Sequence, residues 1–382
     1  MSSAPPFRDS TASVLLDALR AGAAFMVVLG HWRSALFVDF AEVHSHRSLL
    51  APVYLLSGAA QEAVLLFFAL SGYLIAGSIL EAWRRGAWSW RKYWTHRLVR
   101  LWIVLLPALL AGALWDRWGI HLGAAPALYA GDDAHGLTRN VATALSWRGL
   151  LGNAAFLQTI LVPPFGSNVA LWSLASEFWY YALFPLLVCI ARAFMRPAAQ
   201  TLACAAALGA VVFLLRDNAF VLPLFPVWLM GALLHALPRK VTTARERAGA
   251  TAAFALLLLF TPLIRPTYLI GNLKVGDLTF GAGTAAYLWI LLGASRPARP
   301  SWPNRLARWS AGFSYTLYAV HTPPLIFAAA FLVHDSRWMP DGTKALIATG
   351  LLILIIAYAW LLGLVTEART DQVRTRVERL IS

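Results

Sequence analysis

Apolar residues in this chain come in blocks rather than in stripes. Blocks close to the ~20 residues that cross a bilayer lie at about 14–33, 60–80, 98–118, 169–191, 198–215, 219–237, 248–264, 275–294, 310–332 and 343–365. The expected fold is all-α and polytopic, a bundle of about ten transmembrane helices over 14–365 in a single membrane domain spanning 1–382. Most connections are short. The exceptions are expected outer loops at about 34–59 and 119–168, and a cytoplasmic tail at 366–382. Long connections in a compact protein tend to be lids or binding surfaces. Within the second, GLLGNAAFLQTIL (149–161) is apolar enough to lie along the interface or dip inward.

The cations sort the two sides. With the N-terminus inside, the inner segments hold Arg8 and Arg20, the six cations from Arg84 to Arg100, then Arg192 and Arg196. They also take four cations each in 239–247, 296–308 and 369–379, so 22 of the 32 Lys and Arg lie inside. That excess places both termini in the cytoplasm. Composition agrees with the block pattern: 59% of residues are hydrophobic and 13% charged, against ~25% charged in soluble proteins. The net charge of +14 does not point to nucleic acid, because the cations sit in short clusters between apolar blocks. Cys189 and Cys204 fall in apolar stretches and are expected to be buried free thiols. The first block lacks a cleavage site and is expected to be retained. No repeat, low-complexity tract or separate soluble domain stands out.

Polar residues inside the blocks carry the functional reading. The first block, LDALRAGAAFMVVLGHWR, holds Arg20 and His31 eleven positions apart. At ~100° per residue they share one helix face, ~16 Å apart along the axis. The third block opens with HRLVRLW, setting Arg97 and Arg100 at i and i+3 at the depth of Arg20. Three guanidiniums meeting there would suit phosphate. Snorkelling to the inner surface is the plainer account, and for Arg84, Arg85 and Arg91 the preferred one. In LWSLASEFWYYALFP, Ser173, Glu177 and Tyr180 fall at i, i+4 and i+7; in SYTLYAVHTPPL, Ser314, Tyr318 and His321 do the same. A Glu within a span needs a partner, a wet cavity or a proton. An arginine of another span would be the structural answer for Glu177, as satisfied packing would be for either histidine. Two such histidines together with Glu177 make a purely structural account weaker.

Metal ligation is not expected: His44 with His46, and Asp132, Asp133 and His135, form no closed ligand set and read as solvated loop. No Walker loop, dinucleotide fingerprint or nucleophile elbow is found. Ser71-Gly72 in FFALSGYLI reads as a close-packing point between helices.

In order, LDALRAGAAFMVVLGHW, FFALSGYLI, RKYWTHRLVRLW, GNAAFLQ, LWSLASEFWYYALFP and SYTLYAVHTPPL resemble the acyltransferase 3 family of integral membrane acyltransferases, over about residues 14–325. Two family traits fall on matching residues: the arginine and histidine of the first span, Arg20 and His31, and the RxxR pair, Arg97 and Arg100. The last span matches only in hydrophobicity, and the esterase-like domain that some members carry is not expected in this chain. The resemblance implies transfer of an acyl group, commonly acetyl, from cytoplasmic acyl-CoA to a hydroxyl of a surface carbohydrate, a macrolide or a similar acceptor, in a bacterial inner membrane. No bound cofactor is implied; acyl-CoA is a co-substrate.

In that scheme Arg20, Arg97 and Arg100 hold the phosphates of acyl-CoA and the pantetheine arm threads inward. His31 is the general base, Glu177 orients or charge-balances a histidine, and His321 is a second contact to acceptor or base. Direct transfer is preferred to an acyl-histidine relay. Polar helices at mid-membrane also describe a proton-coupled secondary transporter, but no inverted repeat is evident and the arginines gather at one mouth only. A non-catalytic scaffold of the same fold is the third class. Acceptor and oligomeric state are not legible in the residues.

Overall fold

The computed structural model describes residues 10–132, 138–192, 197–238, 240–264, 268–270, 273–294, 296–334 and 336–381. Arg8, Asp133, His135, Arg196 and Arg239 of the sequence reading lie outside them. Seven helical stretches among the described residues are long and apolar enough to cross a membrane. A pair bent by 47°, α14 (Ser314–Val320) with α15 (Thr322–Leu332), makes an eighth. The spans are α1 (Thr11–Leu36), α3 (Ala60–Arg84), α4 (Trp90–Leu122), α8 (Trp172–Ala191), α9 (Ala198–Leu215), α12 (Val275–Leu292) and α16 (Gly342–Val365). The two remaining blocks are also helical, as α10 (Val221–Leu233), only 13 residues long, and α11 (Ala244–Ile264), which opens on Arg245, Glu246 and Arg247. The protein is an all-α, multi-pass membrane protein.

Polar caps start three of the spanning helices. Ser10 accepts from the Ser13 amide at 3.2 Å, Ser89 from Lys92 at 3.4 Å and Asp341 from Lys344 at 2.8 Å. Gly123, at φ 66°, ends α4 in the left-handed conformation. The first span is the hub: α1 packs on α3, α12, α14, α15, α16 and the short α13 (Trp302–Ala311). The closest approach is between α3 and α10. A Cβ on Gly72 would come 2.0 Å from the Trp228 carbonyl oxygen, and one on Gly231 would come 1.9 Å from that of Ala69. Lipid gives apolar helices no hydrophobic reason to associate, so small residues that let backbones meet hold such pairs. Ser71-Gly72 is therefore a packing point, as its sequence suggests. Cys189 and Cys204 are buried thiols that are not joined in a disulfide.

The two long connections are structured. Residues 34–59 hold a 3₁₀ turn, Phe40–Glu42, and α2 (Arg47–Gly58), with His44 and His46 exposed. Beyond α4 come α5 (Pro126–Ala130), α6 (Val141–Ala144) and α7 (Trp147–Ala154). The chain then dips into the bundle, where Phe156 and Gln158 are buried and residues 164–171 are buried or nearly so. Side chains satisfy that irregular backbone, as burial at membrane depth demands. Asn153 donates to the carbonyls of Gly149 and Pro163 at 2.9 Å each, and Gln158 donates to Leu171 at 2.9 Å. The C-terminal residues form a turn, Glu367–Arg369, and a polar helix α17 (Thr370–Ile381) laid against the start of α4.

At the end of α1 beyond His31, two segments are clasped. The Trp338 amide donates to the Leu36 carbonyl at 2.8 Å, the Val38 amide donates to Trp338 at 3.1 Å, and Asp39 pairs with Arg337 at 2.9 Å and Arg33 at 3.2 Å. The hydrogen bond from Arg337 outweighs partial burial and holds the Asp39 carboxyl below its ordinary value. A carboxylate depressed in this way contributes stability above the ordinary Asp range, which is lost as pH falls through the folded-state value. Acidification through that window is therefore expected to expose 34–42 to protease in the wild type. In Asp39→Asn the cleavage should show no such pH dependence; matching pH profiles for the two proteins would remove the clasp from the account.

Candidate active site

A cavity of ≈ 800 Å³ opens between α1, α3, α4 and α8 at the end of the bundle that holds the start of α1. Arg20, Arg97, Arg100 and Arg308 line it, with Asp17, Ser71, Glu177 and Tyr181. An inner chamber of ≈ 110 Å³ shares Arg20, Phe67, Arg100, Glu177 and Tyr181 with it and adds Ser173, Tyr315 and Tyr318 to its wall. The three expected arginines thus face one space, though with different partners. Arg20 donates to the Ala311 carbonyl at 3.1 Å and pairs with Asp17 at 3.3 Å. Arg100 pairs at 2.8 Å with Glu367, whose second oxygen accepts from the Thr316 amide at 3.1 Å. Arg97 lies over the rings of Tyr93 and Tyr181, at 5.7 and 5.8 Å, with no carboxylate partner among the described residues.

Glu177 stands in the wall of both spaces. One of its oxygens accepts from Ser71 at 3.0 Å and from the Tyr181 hydroxyl in a shorter bond. Its hydrogen bonds among the described residues go to these two hydroxyls, not to a histidine. On α8 the residue that joins Ser173 and Glu177 at the cavity is Tyr181 rather than Tyr180. Tyr180 is fully buried against Phe68, Phe225 and Trp228. Ser314 and Tyr318 line the chamber as their spacing suggests. The Tyr318 hydroxyl meets Ser173 Oγ at 2.5 Å, and its ring lies 6.1 Å from that of His321.

The two histidines meet. His31 Nδ1 is 2.7 Å from His321 Nε2, with the rings stacked at 14° and 5.0 Å between centroids. The network assigns the protons. His321 Nδ1 faces two carbonyls, Tyr318 at 2.8 Å and Leu317 at 3.1 Å, so it carries the hydrogen. His321 Nε2 is then an acceptor, and Thr322 Oγ1 lies 3.3 Å from it. His31 must therefore donate from Nδ1, which leaves the lone pair of its neutral ring on Nε2. His321 is fully buried and His31 half-buried. The pair is thus a histidine whose ring is oriented by a second, fully buried histidine.

A family model for an acyltransferase domain, Acyl_transf_3, matches residues 14–364. The chain belongs to the acyltransferase 3 family. No curated protein and no solved structure matches it. The protein is a membrane acyltransferase, and acyl transfer asks for a base, a polar pocket for the donor and a shielded meeting point. In this acyltransferase 3 member, Arg20, Arg97, Arg100 and Glu177 share one cavity, and His31 and His321 form a separate pair that Tyr318 links to the chamber.

Three residues of this arrangement carry little signal in the sequence. Glu367 lies just past the last apolar block, where a carboxylate is unremarkable, yet it is buried against Arg100. Tyr181 is one of two adjacent tyrosines. Asp116, on α4, is 1% exposed and takes both the amide and the hydroxyl of Ser167, at 2.8 and 2.6 Å. An Asp inside an apolar block was the available clue to the last of these.

Proposed function

We propose that this protein moves an acyl group, acetyl by family habit, from cytoplasmic acyl-CoA to a hydroxyl of a carbohydrate or similar acceptor reaching the bundle from the other face. The observation that carries the proposal is the oriented pair His31–His321, which leaves His31 Nε2 as a free base. The nucleotide phosphates sit among Arg20, Arg97 and Arg100, and the pantetheine arm runs through the chamber towards Tyr318. The acceptor hydroxyl gives its proton to His31 Nε2 as its oxygen attacks the thioester carbonyl. The tetrahedral intermediate then expels the thiolate, which takes that proton back from the imidazolium, so ester and free CoA leave with no net change in the enzyme. His321 fixes the tautomer of His31. Glu177, in the wall that the arginines share, supplies the negative charge that balances the transient imidazolium.

The topology that accompanies this reading has ten passes, with α10 and α11 completing the set, both termini cytoplasmic and the protein in a bacterial inner membrane. The cation distribution supports that orientation. The acceptor is a carbohydrate or another hydroxylated molecule such as a macrolide.

The test is purified protein given acetyl-CoA, with thiol release measured with and without candidate glycans. Release that depends on the acceptor is expected. A protein that neither binds nor consumes acyl-CoA sinks the proposal and leaves a transporter or a scaffold.

A further inference from the structure

The break between α14 and α15 falls at His321, and the sequence after it, Thr322-Pro323-Pro324, explains why. A proline has no N–H to give to the carbonyl four residues earlier. Pro323 thereby strips the Ala319 carbonyl of its helical partner. A buried carbonyl left in that state is costly, so the question is what replaces the missing donor. The replacement is the side chain of Asn168, whose Nδ2 donates to the Ala319 carbonyl at 2.8 Å.

Asn168 is held in turn. It sits 2% exposed on the segment that dips into the bundle, one residue after Ser167, which Asp116 grips by amide and hydroxyl. The turn before it needs Gly166, at φ 60°, since a Cβ there would lie 2.0 Å from Asp116 Oδ2. Just after it, the Ala170 carbonyl accepts from the Tyr318 hydroxyl at 3.0 Å. The dipping segment therefore takes hold of α14 at two successive residues, Tyr318 and Ala319. The Tyr318 carbonyl is the group that accepts from His321 Nδ1.

We infer that Asn168 is a positioning residue for the histidine pair: it supplies the hydrogen bond that Pro323 removes, and so fixes the broken helix where His321 can accept from His31. The inference rests on the proposed role of His31 as base. Asn168 acts through His321 and touches neither donor nor acceptor.

Two measurements on the purified full-length protein test it. In a double-mutant cycle, Asn168→Ala is expected to lower kcat by roughly 10- to 100-fold while the acetyl-CoA KM stays within about 3-fold. Asn168→Ala/His321→Ala should be no slower than His321→Ala alone. Unchanged kcat in Asn168→Ala, or effects that multiply in the double variant, would overturn the inference. If Asn168→Ala does not fold, Asn168→Ser, a shorter hydroxyl donor, takes its place with the same expectations. The second measurement needs no turnover: ¹⁵N-histidine NMR should show His31 Nε2 unprotonated in the wild type and a tautomer mixture in the Asn168 variant. An unmoved His31 signal overturns the positioning role. A wild type that consumes no acetyl-CoA defeats the functional reading instead, and the NMR result still decides the inference.

Discussion

Replacing His31 with Gln is expected to reduce acyl transfer by at least ~10³-fold in kcat, with acyl-CoA affinity within about 3-fold of wild type. Gln is the demanding choice because it keeps a polar side chain of similar size and reach, so the packing around His321 need not collapse. What Gln cannot do is accept a proton at the position of Nε2. Of the whole site, that is the capacity the proposed chemistry cannot do without. His321→Gln should cost less, about 10- to 100-fold, because His31 remains and only its tautomer is released. Steady-state rates on purified variants, with acyl-CoA binding measured separately, check both. A His31→Gln protein that still turns over at near wild-type rate would place the base elsewhere. A loss of binding that matches the loss of rate would make His31 a structural residue.

The fold was legible because lipid imposes a coarse rule. Apolar blocks of spanning length must be helices, and among the described residues eight of the ten blocks became helices or helix pairs that meet the length and apolarity of a span. The block at 219–237 shows the limit: α10 is only 13 residues long and is fixed by its glycine contacts with α3, not by length. On the site side, Arg20 and His31 could be placed because both lie on one helix, where spacing converts directly to geometry. The meeting of His31 with His321 spans 290 positions in the chain and falls at a break that the prolines open and Asn168 bridges. No periodicity reports such an event. The choice between Tyr180 and Tyr181 was out of reach for a different reason. Measured from the middle of the Ser173–Glu177 face, the two lie ~40° and ~60° away on opposite sides. The aromatic crowd of Phe68, Phe225 and Trp228 settles it by claiming Tyr180.

The arginines at the cavity mouth should separate on mutation, although the sequence presents Arg97 and Arg100 as a matched pair. Arg97 has its guanidinium against two tyrosine rings and no carboxylate among the described residues, so its charge is the one most open to an incoming phosphate. A charge-assisted hydrogen bond contributes ~1.5–3 kcal/mol, so Arg97→Gln should weaken acyl-CoA binding by roughly 10- to 100-fold. The loss should vanish for an acyl-pantetheine donor that lacks the nucleotide, because the proposed binding mode puts the arm and the thioester deeper than Arg97. Thermal stability should hardly change. Arg100→Gln is expected to look different. It leaves Glu367, whose side chain is 4% exposed, as a buried carboxylate without its cation. Breaking such a pair from one side costs on the order of 3–5 kcal/mol, so this variant should lose stability as well as donor affinity. Glu367→Gln in the Arg100→Gln background should recover part of that stability without recovering donor affinity. Binding curves with both donors, set beside melting curves in the same detergent, read the two effects apart. If Arg97→Gln weakens the truncated donor as much as acyl-CoA, then Arg97 shapes the cavity and does not hold phosphate.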